Sequence, residues 1–531
     1  MAYDSHAHVD LEKYASLINL IETAAERYGD KTAYVCLGKA SSFADIERDS
    51  RYFAAYLQQH TQLVVGDKVA IQLPNITQFV IAAYGALRAG MILVNTNPLY
   101  TQRELIHQYR DSDAKALVVL SDLLPTLEAV IPETQIETVI STHPLDLIAT
   151  QPQADSQLAH IGFNQVLALG SQAEYRPVEV AQQSLAALQY TGGTTGLSKG
   201  AMLSHSNLLA NMLQVQSRLA SKFVEGEEIF IAPLPIYHIY AFMVNFVYFE
   251  QGGCSVLIPN PRDISALIQT MSQHPFTGFA GLNTLFVGLC HQQSFQALDF
   301  SHLKITISGG TALTQAAASI WQSTTGCTIS EGYGLSETSP VVSLNAPGLE
   351  CLGTIGRPVI DTQVKILDAN EQEVPQGEIG ELAVKGPQVM SGYWQKPEET
   401  AKVMTSDGFF KTGDIALATE GGMHKIVDRK KDMIIVSGFN VYPNEVEDVL
   451  AAHESVLECA VIGVDDSRSG EAVKAAIVLR EPELANDATK QALLEHCRAQ
   501  LAAYKLPKII EFMAALPKST VGKILRRELR K

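Results

Sequence analysis

The sequence predicts an α/β protein with a large N-terminal domain of layered α/β subdomains and a small C-terminal α+β domain. Three observations carry this. Short β-branched runs alternate with amphipathic helical stretches from the start of the chain, the rhythm of sheets covered by helices. A charged stretch, Asp428-Arg429-Lys430-Lys431-Asp432, lies between two apolar runs and divides the chain into residues 1–428 and 429–531. The composition is globular, with 46% hydrophobic and 18% charged residues among 531, enough for several cores without staples.

The first elements read in order. Val69–Leu73 is a buried strand ending at Pro74-Asn75. Gln78–Ala89 has helical spacing, with Phe79, Ala82, Ala83, Ala86 and Leu87 on one side and Gly90 as the stop. Ile92–Asn95 is a second strand, Thr101 with Glu104 a capping box opening a helix, and Ala116–Leu120 a third strand. Between about Ser141 and Tyr175 the pattern loosens, and a surface connection is expected. Regularity resumes with the strand Leu185–Leu188. Beyond the charged stretch, Pro443–His453 and Lys490–Ala502 read as helices, Glu458–Val464 and Ala472–Leu479 as strands. No repeat or heptad is visible.

Forty basic against 57 acidic side chains give a net charge of −17, which argues against a general nucleic-acid or anionic-membrane binder. Seven scattered cysteines without a C-x-x-C pair suggest reduced, mostly core thiols and no zinc site. The N-terminus has neither a basic start nor an apolar run, and the most apolar stretch, Ile229–Pro259, is broken by Pro233, Pro235, His238, Asn245 and Glu250. Neither a signal peptide nor a membrane helix is expected, and the chain reads as cytoplasmic.

The most informative segment is Tyr190-Thr-Gly-Gly-Thr-Thr-Gly-Leu-Ser-Lys-Gly-Ala201, which follows a strand. Gly192, Gly193, Gly196 and Gly200 let backbone N–H groups converge on an anion; Thr191, Thr194, Thr195 and Ser198 add hydroxyls, and Lys199 adds positive charge. Phosphate cradling is the favoured reading over a surface turn. It is not a Walker loop, because Gly200 follows Lys199. Gly196-Leu-Ser198-Lys-Gly200 also matches a nucleophile elbow, but the glycine-rich loop intervenes between strand and serine. Asp4-Ser-His6-Ala-His8 resembles a metal-ligand strand, yet too little chain precedes it for a barrel strand.

Glu331-Gly-Tyr333-Gly334-Leu-Ser336-Glu337-Thr338 combines a flat ring, small neighbours and a carboxylate. Tyr333 could stack on a planar base, and Glu337 could hold Mg²⁺, which favours one or two carboxylates plus substrate phosphates. Ser308-Gly309-Gly310-Thr311, after the strand Ile305–Ile307, could place backbone against the same ligand. In Lys411-Thr-Gly413-Asp414 a carboxylate follows a tight turn, where a ribose contact competes with a solvated aspartate. Lys518–Arg527 is either a solvated basic tail or a loop on which Gly522 lets Lys523 project.

In one chain and in this order, these segments resemble the adenylate-forming acyl-CoA synthetases, and most closely bacterial long-chain fatty-acid–CoA ligases. The matching stretches are YTGGTTGLSKGAML, PLPIYHIYAF, EGYGLSET, DGFFKTGDIA, IVDRKKDMIIVSGFNVYPNEVE and PKSTVGKILRREL, within a resemblance running from Leu17 to Lys531. Gly408-Phe409-Phe410-Lys411 departs from the Trp-Leu-His usual there. The resemblance implies an ATP-dependent, two-step ligation of a fatty acid to coenzyme A, with Mg²⁺ accompanying ATP and a mobile C-terminal domain. It implies that Thr191–Lys199 holds the β/γ-phosphates, with Thr191 and Glu337 near Mg²⁺. Tyr333, Gly334, Ser336, Gly309 and Gly310 would surround the nucleotide; Asp414 would bind ribose, and Arg429 would lie near ribose and α-phosphate. His238 and Phe242 would belong to the acyl pocket. Lys431 would be the hinge, Ser437-Gly438 would line the approach of the thiol, and Lys523 would enter the site for adenylation.

Ligation of an aryl acid, or loading of a carrier protein, shares the same first step and stays open. A metal-dependent hydrolase using His6 and His8 is the distant alternative. The expected partners are ATP, fatty acid and coenzyme A; a homodimer and peripheral contact with the inner face of the membrane are both compatible with the sequence.

Overall fold

The computed structural model describes residues 8–149, 156–191, 198–466, 468–518 and 524–530. They fall into two compact units. The first comprises Met1–Leu352, Pro358–Gln363 and Lys385–Met404; the second comprises Gly353–Arg357, Val364–Val384 and Thr405–Lys531.

Two largely parallel sheets build the first unit. In one, the strands run in the order Ile161–Gly162, Thr138–Thr142, Ala114–Leu120, Lys68–Gln72, Ile92–Asn95, Leu185–Thr191, Lys199–Ser204. Every neighbouring pair is parallel except the last. Its central strands are apolar without alternation, as expected where both faces are covered. The helix Thr77–Arg88 is buried along its whole length. It carries Arg88 inward at 0% exposure, where Glu22 at 2.9 Å, Glu47 and the Ser50 hydroxyl at 3.1 Å hold the guanidinium. A buried charge is tolerable only when paired in this way.

In the other sheet Val341–Leu344, Ile329–Gly334, Ile305–Ser308, Gly278–Gly281, Ile229–Ala232, Cys254–Leu257, Thr32–Cys36 and Lys39–Ser42 are successive neighbours. Its core centres on Trp321, stacked on Phe279 at 5.2 Å and edge-on to Phe286 at 4.8 Å. The indole N–H reaches the Thr306 hydroxyl at 3.1 Å, so the buried donor is satisfied.

The early strands and helices fall within two residues of their expected places, and the Thr101–Glu104 capping box is formed. The stretch from Ser141 to Tyr175 is a correction. It contains a strand at Ile161–Gly162 and a helix at Phe163–Gly170 that buries Phe163 and Val166. Eight residues offer too few turns for a periodic signal to stand out. Gly170 is glycine because a Cβ there would lie 1.9 Å from the Tyr52 carbonyl oxygen.

The second unit contains a sheet in the order Gln363–Leu367, Ile379–Lys385, Phe410–Ala418, His424–Arg429. A second sheet runs Phe439–Val441, Ile434–Val436, Gly470–Leu479, Val456–Asp466, with Ile509–Phe512 added parallel to Gly470–Leu479. Val446 and Leu450 of the helix Pro443–Ala451, with Leu493 and Cys497 of Asp487–Gln500, cover one face; Leu516 and Leu529 cover the other. Among the described residues no helix is long and apolar enough to cross a membrane.

Candidate functional site

In the first unit the site is built where two antiparallel strands open. Thr191 ends one strand and pairs in register with Lys199, the first residue of the next. Gly192, Gly193, Thr194, Thr195 and Gly196, singled out from the sequence, lie outside the described residues. Ser198 stands immediately before a strand, and its carbonyl is 2.8 Å from His107 Nε2. The loop therefore joins two strands, and no strand-to-helix elbow forms at this serine.

A one-turn helix, Ser336–Thr338, packs against both strands and brings Glu337 to them. Glu337 is 8% exposed. Its Oε1 accepts a hydrogen bond of 2.8 Å from the Tyr393 hydroxyl, and its backbone carbonyl accepts from Met390 N–H at 2.8 Å. Burial, and secondarily the charge of Glu337, pushes the Tyr393 phenol well above its ordinary pKa. It stays protonated and donates.

Tyr393 arrives on a segment that extends the sheet. Met202 N–H donates to the Gly392 carbonyl and Trp394 N–H to that of Gly200. The short helix Pro397–Val403 then carries Glu399 to Lys199. The Lys199 ammonium lies 5.0 Å from the centre of the Tyr393 ring and is ion-paired with Glu399. The hydrogen bond from Lys199, with Lys402 assisting at 2.5 Å, holds the Glu399 carboxyl down at about 2. Sequence reasoning missed Tyr393 and Glu399. Their only local signals are two aromatics after a glycine and two acids after Pro397, the latter suiting a helix N-terminus equally well.

Gly309 and Gly310 follow the strand Ile305–Ser308, which lies beside Ile329–Gly334, the strand that carries Tyr333. Gly310 has φ +89°, a left-handed conformation that favours glycine. A Cβ on Gly309 would lie 3.5 Å from the Gly332 carbonyl and from the Tyr240 ring, and one on Gly334 only 2.1 Å from the Pro340 carbonyl. The glycines thus allow close backbone approach. Tyr240, not anticipated, is buried at its hydroxyl, which finds no hydrogen-bond partner among the described residues. It sits in the first turn of the helix Ile239–Glu250, whose N-cap is His238. His238 Nδ1 accepts from Tyr240 N–H at 3.3 Å, which leaves the neutral ring's proton on Nε2. One turn on, Phe242 is buried, edge-on to Phe79 and Phe246.

The second unit holds Asp414, Arg429, Lys431, Ser437 and Gly438. Asp414 lies inside the strand Phe410–Ala418, not after a tight turn as expected. The local feature is a β-bulge, with Gly413 at φ +74°. Asp414 is 5% exposed and sits opposite Arg429, whose Nε is 3.5 Å from its Oδ1. Asp428 is fully buried, and burial pushes its carboxyl up to about 6 despite Arg526. It accepts from Arg429 N–H and Asn444 N–H, each at 2.7 Å. Lys431 is exposed. Ser437 and Gly438 form the two-residue loop between Ile434–Val436 and Phe439–Val441, with φ of +53° and +86°, the pattern of a type I′ hairpin turn.

Lys523 lies outside the described residues. Nearby Arg526 is not a solvated tail residue. It makes two 2.8 Å bonds from Nη2 to the Glu447 carboxylate and one to Asn444 Oδ1. His6 also lies outside the described residues. His8 is exposed and bonded to Asp361, and among the described residues no cluster of three or more His, Cys, Asp or Glu could hold a metal.

Residues 21–394 match the family model of AMP-binding enzymes, and residues 445–523 match that of the AMP-binding enzyme C-terminal domain. The chain is 46% identical to a long-chain-fatty-acid–CoA ligase of Salmonella typhimurium, over 99% of this chain and 96% of the relative. Identity to the Bacillus subtilis enzyme of the same name is 39%, over 97% and 94%. ATP-bound MatB from Rhodopseudomonas palustris superposes with a TM-score of 0.86 at 30% identity, over 97% of this chain and 98% of that one. The anthranilate CoA ligase AuaEII, in complex with anthranoyl-AMP, gives 0.88 at 25% identity, over 98% of each.

Proposed function

Since the chain belongs to the AMP-binding enzyme family, we propose that it activates fatty acids with ATP and transfers them to coenzyme A. In the first step a carboxylate oxygen attacks the α-phosphorus, the bond to the bridging oxygen of the β-phosphate breaks, and diphosphate leaves. In the second the sulfur of coenzyme A attacks the acyl carbonyl carbon, the carbon–oxygen bond to AMP breaks, and the thiol proton is lost. The observation that carries this reading is the convergence of Thr191, Lys199 and buried Glu337 on one strand pair, in a chain nearly as long as its fatty-acid–CoA ligase relatives.

A carboxylate approaching a phosphate meets like charge, so the site must supply positive charge and fixed donors. In this reading Lys199 and the loop from Thr191 hold the departing phosphates. A buried carboxylate beside a threonine at the strand end suits Mg²⁺, a hard cation that takes oxygen ligands. Thr191 and Glu337 would hold Mg²⁺, which would supply positive charge to the departing diphosphate. Tyr333, Gly334, Ser336, Gly309 and Gly310 form the nucleotide wall. His238 and Phe242 border the acyl pocket. Asp414 takes the ribose hydroxyls and Arg429 the ribose and α-phosphate. Lys523 belongs to adenylation, Ser437 and Gly438 to the thiol's approach.

Acyl-adenylate is lost to water in an open site, so the two steps call for different entrances. We assign the swivel to Lys431, with residues 429–531 as the moving part and 1–428 as the fixed one. ATP and coenzyme A are cytoplasmic metabolites, and the reading carries that location with it. The test is diphosphate release against a panel of fatty and aryl acids, with and without coenzyme A. Release and thioester formation with fatty acids are expected. Release with aryl acids only, or without any thioester, would replace this reading by an aryl-acid or carrier-loading ligase.

A further inference from the structure

Asn245 stands among apolar side chains on the helix Ile239–Glu250. It is 3% exposed. Its Nδ2 donates to the Ala241 carbonyl at 2.8 Å, which fixes the orientation of the amide, and its Oδ1 has no hydrogen-bond partner among the described residues. A buried carbonyl without a donor is costly, and natural cores hold few of them. Asn245 borders a seam, too narrow in this structure to hold water, that is also lined by Tyr34, Tyr84, Phe79, Phe242 and Phe246.

The seam's other polar atoms complement it. The Tyr34 and Tyr84 hydroxyls lie 3.1 Å apart. One phenolic proton makes that bond; the other has no acceptor among the described residues. Burial raises the pKa of both phenols, so both remain protonated. One apolar seam therefore holds an acceptor lacking a donor and a donor lacking an acceptor. A hydroxyl group, which donates once and accepts, answers both.

We propose that this seam is a specificity subsite for fatty acids carrying a hydroxyl group near the end of a medium-length chain. The inference rests on the fatty-acid reading above. From His238 to Asn245 the helix rises roughly 10 Å, the distance from the carboxyl carbon to the ω-hydroxyl oxygen of an extended eight-carbon acid, about eight bonds at about 1.25 Å each when projected along the zigzag. Phe242 meets Phe79 and Phe246 only edge-on, at 6.3 and 5.1 Å, and a change of its rotamer would open the way. A plain alkyl chain reaching this depth leaves both polar groups unsatisfied. A terminal hydroxyl regains there the bonds it gave up in water.

The experiment compares kcat/KM for octanoate and its ω-hydroxy derivative by thioester formation, in wild type, Asn245→Leu and Tyr84→Phe. Wild type should prefer the hydroxy acid by about tenfold, the worth of roughly one net hydrogen bond. Each variant should bring the ratio to about one, Asn245→Leu by raising octanoate turnover. Because both variants are read as ratios on active enzyme, partial loss of folded protein cancels. A wild-type ratio of one or below, or a ratio unchanged in both variants, would overturn the proposal. No thioester from either acid while palmitate is turned over would overturn this proposal alone; no thioester from palmitate either would overturn the fatty-acid reading and this one with it.

Discussion

Removing one oxygen tests the site most directly: Tyr393→Phe. The hydroxyl lies 2.8 Å from Glu337 Oε1 with both residues 8% exposed. The ring should stay in place, because Tyr393 N–H is fixed by the Thr400 hydroxyl at 2.9 Å and the strand contact at Gly392 is untouched. What is lost is a hydrogen bond to a buried charge, worth about 1.5–3 kcal/mol. If that bond orients the carboxylate for metal-bound diphosphate, its loss appears in the adenylation barrier. Each ~1.4 kcal/mol is tenfold in rate, so diphosphate release should fall by about ten- to a hundredfold. The Mg²⁺ concentration for half-maximal rate should rise with it. The assay is acid-dependent ATP–diphosphate exchange over a Mg²⁺ titration, with Glu337→Gln and the double variant completing the cycle. Glu337→Gln should itself slow exchange and demand more Mg²⁺, and the double variant should be little worse than Glu337→Gln alone. If Tyr393→Phe lowered thermal stability while rate and Mg²⁺ dependence stayed within twofold of wild type, the phenol would be a packing group and Glu337 no metal ligand.

On the proposed role of Lys199 as a phosphate ligand, it leaves its ion pair with Glu399 when ATP binds, so Glu399→Gln should lower the KM for ATP a few-fold with little change in kcat; a raised KM would mean that Glu399 positions the lysine. Lys523→Ala should block acyl-adenylate formation yet convert supplied acyl-adenylate and coenzyme A to thioester, while Lys431→Pro should form the adenylate and stall; equal loss of both halves in both variants would remove the support for a swivel. Asp428 has its carboxyl raised by burial to about 6 from an ordinary 3.8, so its penalty is absent below about pH 4 and grows as pH rises through 6, to about 3 kcal/mol. Asp428→Asn should therefore be the more stable protein at pH 7.5 and lose that advantage at pH 4 in urea titrations; a difference independent of pH would assign the effect to geometry instead.

Most of the fold could be read from the sequence because the central strands and covering helices obey short periods. Val69–Leu73 and Gln78–Ala89 reveal themselves within a dozen residues, and the observed strand and helix differ from them by only one residue at each end. The glycine-rich segment from Thr191, the Tyr333 segment and Asp414 stand out as candidates for a related reason: each concentrates glycine, hydroxyl or charge in a few consecutive positions. The turn expected before Asp414 failed because Gly413 marks positive φ, and a bulge inside a strand uses that conformation as readily as a turn does.

What stayed hidden is held by contacts between distant segments. Tyr393 meets Glu337 across 56 positions and Glu399 meets Lys199 across 200. In the sequence, Ser391–Thr400 looks like any polar connection with a helix start. It becomes part of the site only because Gly392 and Trp394 hydrogen-bond to the edge strand Lys199–Ser204, and nothing in the composition of either partner announces that pairing. Arg526 follows the same logic in the other direction. A run of basic residues reads as solvated until Glu447, Asp428 and Asp432, all at least 79 positions before it, are folded around one guanidinium. Charges that act in a short loop can be read locally. Charges neutralised by partners a hundred residues away can be interpreted only after the backbone has brought the partners together, so the groups that tune this site are found later than the groups that define it.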